Sequence, residues 1–264
     1  MTNGSNEGQG FDKLSHAVFV EALGQVSDTP DLDAKILREF ARDDGEFAAF
    51  IQRRLNHEPV AYITGTRGFW TIDLGVTPAV LIPRPDSETL IEAAVARFGV
   101  EGPKRVLDLG TGSGALLLAA LDQWPNATGV GVDASEAALA VARGNAERIA
   151  PGRAEMQLGD WTDGIDELFD LVLCNPPYVE TGADLAPQVR DYEPASALFA
   201  GADGLDDYKR LALQLARVTG GIACIEIGWT QAAAVTMLLE NEGLAVACRK
   251  DLGSRDRCLI ANHK

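Results

Sequence analysis

The spacing of apolar and polar residues changes character twice along the chain. Over residues 11–60 it is helical: Leu32, Ile36, Leu37 and Phe40 share one face, Phe47, Phe50, Ile51 and Leu55 another, and Thr29-Pro30 suits a helix start. A small helical domain is predicted there. From 61 to 85 β-branched and aromatic residues broken by glycine take over, in Tyr62-Ile-Thr-Gly65, Phe69-Trp70-Thr-Ile-Asp-Leu-Gly75 and Val80-Leu-Ile82, which predicts a β-hairpin linker ended by Pro83-Arg84-Pro85. Asp86 or Ser87 then caps a helix whose buried stripe is Leu90, Ile91, Ala94, Val95 and Phe98.

Beyond residue 103 short apolar runs alternate with helical patterns. The runs are Val106–Leu109, Thr128–Val132, Ala154–Leu158, Leu168–Cys174, Ile222–Ile227, Ala245–Cys248 and Cys258–Ala261. Such alternation predicts an α/β domain, taken as 86–264, with a mostly parallel sheet covered on both faces. Ligands of these sheets bind outside the carboxyl ends of the strands, where the loop at Gly110, Asp133, Asp160-Trp161 and Asn175 all fall.

Two strand ends carry recognisable chemistry. Arg105–Leu109 runs into Gly110-Thr111-Gly112-Ser113-Gly114 and then a helical stretch, so glycines let a ligand approach the backbone at a helix N-terminus that favours anionic or polar groups. Asp133, ending the next strand, is placed to accept hydrogen bonds from a ribose diol. A nucleoside site follows, but the same spacing also satisfies the dinucleotide fingerprint, so the loop leaves the nucleoside open. The second strand end is Asn175-Pro176-Pro177-Tyr178. An amide or exocyclic amine nitrogen is a poor nucleophile because its lone pair is delocalised, and two acceptors on its N–H groups would localise that pair. The Asn175 side-chain oxygen supplies one acceptor and the Pro176 carbonyl, fixed by consecutive prolines, the other, with Tyr178 covering the planar group. The plainer alternative is a strand-ending turn.

Composition narrows the classes. At 264 residues and 46% apolar content the chain can bury a sizeable core, and a soluble, cytoplasmic protein is expected, because no apolar stretch reaches membrane-spanning length and residues 1–10 read as a disordered tail rather than a signal peptide. The four cysteines lack C-x-x-C spacing, which predicts free thiols, and neither they nor the three histidines form a metal-binding pattern. A net charge of −16, with basic residues only in pairs such as Arg53-Arg54, Lys104-Arg105 and Lys209-Arg210, argues against a nucleic-acid partner.

Taken together with Asp108 before the glycine loop, these residues resemble the HemK/PrmC family, glutamine N5-methyltransferases of class I peptide-chain release factors. The resemblance covers nearly the whole chain after residue 10: Asp33-Ala34, Pro59-x-x-Tyr62-Ile63-x-Gly65, Leu81-Ile-Pro-Arg-Pro-Asp-Ser-Glu88, Asp108 to Gly114, Gly159-Asp-Trp161, Asn175 to Tyr178, Tyr192-Glu-Pro194 with Ala197-Leu198, Asp203-Gly-Leu205, Glu226-Ile-Gly228 with Gln231, and Asp251 with Asp256-Arg257. Ser87 stands where threonine is usual. The resemblance implies a seven-stranded Rossmann-like class I methyltransferase domain. It further implies that Gly110, Thr111, Gly112, Ser113, Gly114, Asp133, Trp161 and Asn175 contact S-adenosylmethionine, and that Asn175, Pro176, Pro177 and Tyr178 hold the glutamine, with Asn175, Pro176 and Tyr178 catalytic. Trp161 could instead be core packing, Asp160 either reaches the adenine amino group or ends a strand, and Arg84 either approaches the site or makes a surface salt bridge. The partner implied is a release factor, recognised through the helical region by a monomeric enzyme. Alternatives are a glutamine in a ribosomal protein, adenine N6 in nucleic acid, or a nucleoside-sensing module without turnover.

Overall fold

A computed structural model describes residues 17–264. The expected tail and the first residues of the helical region lie outside the described residues. The chain divides into two compact units: one runs to Gly65 and takes in Leu185–Tyr192, and the other comprises Thr66–Asp184 and Glu193–Lys264.

In the first unit residues 17–23 are helical, followed by α1 (Pro30–Phe40), α2 (Asp44–Leu55) and α3 (Val60–Thr64). Leu23, Ala34, Leu37, Phe47, Ile51 and Ile63 form its core. The face of α1 differs from the expected one. Asp33, Ala34 and Leu37 are buried while Leu32 and Phe40 are 53% and 45% exposed. The rotation has an electrostatic cause, since Arg54, buried on α2, donates from Nε to Asp33 Oδ2 at 2.8 Å and from Nη2 to the Val26 carbonyl and Gln188 Oε1, at 3.0 and 3.1 Å. Thr29 and Pro30 do start α1, but the Thr29 hydroxyl leans on Asp33 Oδ1 instead of capping the backbone. Tyr62-Ile-Thr64, expected in a strand, is helical: Pro59 opens the turn and Gly65, at φ +73°, closes it. The run is too short for period-2 spacing to outweigh these end signals.

The second unit opens with the hairpin β1 (Thr66–Phe69) and β2 (Ile72–Gly75), paired from Thr66↔Gly75 to Phe69↔Ile72. Val80–Ile82 is not a strand, although Val80 and Ile82 are buried. A 3-10 turn, Pro85–Ser87, leads into α4 (Glu88–Phe98); Ser87 occupies the cap position without a capping hydrogen bond. There follow β3 (Arg105–Leu109), α5 (Ala115–Gln123), β4 (Thr128–Asp133), α6 (Glu136–Ile149), β5 (Ala154–Leu158), β6 (Phe169–Cys174), α7 (Asp206–Val218), β7 (Thr219–Glu226), α8 (Ala232–Asn241), β8 (Leu244–Lys250) and β9 (Asp256–His263). The seven strands from β3 to β9 lie in the order β5-β4-β3-β6-β7-β9-β8, with β9 antiparallel to both neighbours and the other pairs parallel.

Alternation along the central strands assigns each face its helices. Val106, Leu171, Leu173, Ile222 and Cys224 pack with Leu90 and Ile91 of α4 and Leu117 and Leu121 of α5; Leu107, Leu109, Val172, Cys174 and Ile225 pack with Leu211 and Leu215 of α7 and Val235 of α8. Both faces are therefore dry, as a parallel sheet requires. All four cysteines are free, with Cys248 exposed and the others buried. Among the described residues no helix is long and apolar enough to cross a membrane, and no group of acidic, histidine or cysteine side chains could hold a metal.

The Asp33–Arg54 pair yields a stability prediction. Asp33→Ala or Arg54→Ala leaves an uncompensated buried charge and should cost about 3–5 kcal/mol in the helical unit, whereas the double variant carrying both changes should cost less than the sum of the single changes. Urea unfolding of the three variants checks this, and strict additivity would show that the two side chains do not act as a pair.

Candidate active site

The site is assembled at the carboxyl ends of β3, β4 and β6. Leu109 lies opposite Val132 on one side and Cys174 on the other, so the residues that follow each strand emerge side by side. After β3 the chain turns sharply: Gly110 and Thr111 both donate their N–H to the Val132 carbonyl at 2.9 Å, and Gly114 donates to the Thr111 carbonyl at 2.8 Å. Gly110, Gly112 and Gly114 all have positive φ. At Gly112, φ +56°, a Cβ would meet nothing within 4 Å, so the constraint there is backbone conformation beside open space, which leaves the backbone approachable by a ligand.

A cavity of about 400 Å³ opens here, within the range of small-molecule sites. Its walls include Gly110, Thr111, Gly112 and Ser113 from the loop, Asp133, Trp161, Asn175 and Pro177. Gly114 stands behind, its α-carbon facing Leu118. Pro176 is buried, and neither it nor Tyr178 is part of the cavity wall. The Asp133 carboxylate is held at both oxygens, accepting from Gly112 N at 2.8 Å and Ser135 N at 2.9 Å. Trp161 adopts φ +55°, packs on the core under α7 and also faces the cavity, with its ring edge 3.2 Å from where a Gly110 Cβ would sit. Core packing and cavity lining are thus both present in this one side chain.

Asn175 follows β6, with its amide nitrogen donating to Ser87 Oγ at 3.2 Å. The carbonyl of Pro176 accepts no hydrogen bond from the described residues. Tyr178 is fixed by its backbone, since Gln231 Nε2 donates to its carbonyl at 3.1 Å, while its hydroxyl turns toward the buried Glu226 carboxylate at 3.4 Å. Burial, and then Glu226, push the Tyr178 hydroxyl pKa upward, so it stays protonated.

Two residues left with alternative readings have defined partners. Arg84 pairs with buried Glu193 rather than bridging to the surface; Glu193 Oε2 also accepts from Ile82 N at 3.1 Å, so the contact ties the 80–84 segment down. Asp160 forms an ion pair with Arg210, and both line the cavity along with Asp207. Sequence reasoning gave no site role to Ser87, Asp207, Arg210 or Glu226. The two signals present were Ser87 just after a proline-rich turn and Glu226 at an apolar strand's end.

Residues 101–228 match a family model described as a methyltransferase domain. The chain is 44% identical over 218 residues to the release factor glutamine methyltransferase of Caulobacter vibrioides, covering 80% of this chain and 75% of that protein. It is 43% identical over 254 residues to that of Cereibacter sphaeroides, covering 94% and 88%. The chain belongs to the release factor glutamine methyltransferase family. Among solved structures it is similar to a methyltransferase from Pyrococcus furiosus, at 17% identity and a TM-score of 0.53, over 80% of this chain and 95% of that one, which shows the class I methyltransferase fold.

Two buried acids give the site a pH signature. Burial raises Asp108 to about 7, against hydrogen bonds from the Thr111 hydroxyl and Leu117 N–H that lower it, and burial raises Glu226 likewise to about 7. An acid whose folded-state pKa exceeds its unfolded value binds its proton more tightly when folded. Its stabilising contribution is complete below the ordinary carboxylate range and is lost as pH rises through about 7. The urea midpoint should be higher at about pH 6 than at about pH 8, and Asp108→Asn should shrink the difference. A midpoint that rises over this window would contradict the assignment.

Proposed function

We propose that the chain transfers a methyl group from S-adenosylmethionine to the side-chain amide nitrogen of a glutamine in class I peptide-chain release factors, as a monomer in the cytoplasm. The observation that carries this reading is a single cavity walled by the glycine loop, Asp133 and Asn175 together. The names of relatives at 44% and 43% identity support the protein substrate.

The residues fit the cofactor: Gly110 to Gly114 offer backbone at the start of α5, Asp133 offers a carboxylate suited to a ribose diol, and Trp161 offers an aromatic wall. When bound, S-adenosylmethionine supplies an electrophilic methyl group. The chain's own contribution is position. Asn175 Oδ1 and the Pro176 carbonyl accept the two amide hydrogens of the glutamine, which localises the nitrogen lone pair; Pro177 and Tyr178 hold that segment rigid. No general base is needed, because the methylated nitrogen is acidic and its proton leaves to water. Positioning of this kind is worth on the order of 7–11 kcal/mol.

The two halves of the site should fail differently. Asn175→Ala should raise the barrier by roughly 2–4 kcal/mol, slowing single-turnover methyl transfer by about two to three orders of magnitude with a smaller loss of cofactor affinity. Asp133→Ala should act mainly on cofactor affinity, weakening it about tenfold or more in calorimetric titration, because its contact is made equally in ground and transition states. A near-normal rate in folded Asn175→Ala protein would rule out the clamp.

Recognition of the release factor falls to the helical unit, because an amide clamp cannot distinguish one glutamine from another. Leu32 and Phe40, large apolar side chains left exposed on α1, are its contacts in this reading. Leu32→Ser with Phe40→Ser should lower kcat/KM for the intact release factor about tenfold and leave a short glutamine peptide unaffected. Equal losses on both substrates would place recognition in the methyltransferase unit.

A further inference from the structure

An asparagine side chain can be turned end for end with almost no change of shape. Only the polarity of its hydrogen-bond partners decides which end faces the cavity. Asn175 meets Ser87 there, its Nδ2 lying 3.2 Å from Ser87 Oγ. A hydroxyl by itself cannot choose, because it donates and accepts equally well. Beside Asn175, however, lies Glu226, a carboxylate 1% exposed at the end of β7, since Cys174 pairs with Ile225 across the two strands. Tyr178 reaches one of its oxygens, and the other, Oε2, has no hydrogen-bond partner of ordinary geometry among the described residues. Ser87, in contact with Asn175 beside this strand end, opposes the effect of burial on the carboxylate. A buried acceptor left unmatched is costly and calls for a donor.

We infer that Ser87 and Glu226 are positioning residues for the reaction: the carboxylate claims the Ser87 proton, Ser87 Oγ is left able only to accept, and Asn175 is thereby held with its nitrogen toward Ser87 and its oxygen toward the cavity. This rests on the clamp proposed above and specifies how it is kept in register. The same carboxylate takes the Tyr178 hydroxyl, so one buried charge sets the direction of hydrogen bonding at both ends of the Asn175–Tyr178 segment. Ser87 is thus withdrawn from helix capping at α4, where its cap bond is missing.

The arrangement holds only while Glu226 is ionised. Once protonated, its carboxyl can donate to Ser87, which frees Ser87 to donate to Asn175 and permits the reversed amide. The groups facing Glu226 are the hydroxyl of Tyr178 and that of Tyr208, which donates to the Glu226 backbone carbonyl at 2.9 Å, together with Arg257 and Asp86; Cys174 and Cys258 feel its charge from the neighbouring strands. Burial raises its pKa to about 7, with Ser87 and Arg257 opposing and Asp86 adding to the rise. Asp108 titrates in the same range from inside the glycine loop, so the measurement must be made with cofactor saturating and in variants that isolate Glu226.

The test is single-turnover methylation of an intact release factor at saturating S-adenosylmethionine, across the neutral pH range, for the parent, Ser87→Ala, Ser87→Thr, Glu226→Gln and Asn175→Ala. The parent rate should climb with pH through about 7. Ser87→Ala should lose about tenfold to a hundredfold above that pH, as misplacement of a reacting group does, with cofactor affinity little changed, and Ser87→Thr should restore most of the rate. Glu226→Gln should be slower than the parent and lack the pH step, since a glutamine offers either polarity at every pH. Should Glu226→Gln fail to fold, loss of the step in Ser87→Ala decides. A parental rate in Ser87→Ala, or a pH step that keeps its full parental size in the variant that reports on Glu226, overturns the inference while leaving the clamp intact; a parental rate in Asn175→Ala removes the clamp itself.

Discussion

The pairing of β3 with β6 in parallel, Leu109 opposite Cys174, is the constraint on which the site depends. Because both strands run the same way and end level, the glycine loop and Asn175 leave the sheet together and share one cavity. A shift of one residue in either strand would exchange the faces of Val106, Leu107, Leu171 and Val172, moving residues from one packed layer into the other. Each of these side chains is fully buried, so the register is fixed by two hydrophobic layers at once. The chemistry inherits its alignment from that packing.

Glycine in this sheet is as much a packing device as a conformational one. A Cβ at Gly129 of β4 would lie 2.5 Å from Leu117 and 2.7 Å from the Val106 carbonyl, and one at Gly131 would lie 2.8 Å from the Thr111 hydroxyl. The strand beside the loop is thus kept narrow where α5 and the loop cross it. Thr111 can then turn its hydroxyl onto Asp108 at 2.6 Å, a buried bond that anchors the loop to the strand it leaves.

Acidic groups serve the interior as well as the solvent-exposed face. With a net charge of −16 the chain has carboxylates to spare, yet Asp108, Glu193 and Glu226 are buried, each within reach of specific partners. Glu193 is matched by Arg84 and the Ile82 amide, and it binds the proline-rich segment 83–85 to the 193–197 turn. Arg257 serves Asp86, Asp251 and the Ile227 carbonyl together, with Asp86 at 3.0 Å and Asp251 at 3.2 Å. These contacts join β9 to the turn that precedes α4 and carries Ser87.

Alternating apolar runs made the seven strands and the α/β class legible, because a parallel sheet buried on both faces leaves continuous hydrophobic segments between helical ones. The glycine loop and the Asn-Pro-Pro-Tyr segment were legible as local chemistry, since positive φ and proline rigidity are properties of neighbouring residues. Faces and partners were not. Leu32 and Phe40 read as core, yet an ion pair between residues 21 positions apart turned Asp33 inward in their place. Tyr62-Ile-Thr64 read as strand, but its ends made it helix. Asp86 or Ser87 read as a helix cap, yet the Ser87 hydroxyl makes no cap bond and meets Asn175, 88 positions along the chain, instead. The sequence by itself determined which segments form strands and which loops can meet a ligand, because those depend on residues close together in the chain. Only the tertiary structure decided which polar groups are buried against one another, because a hydrogen bond across the fold has no periodicity to betray it.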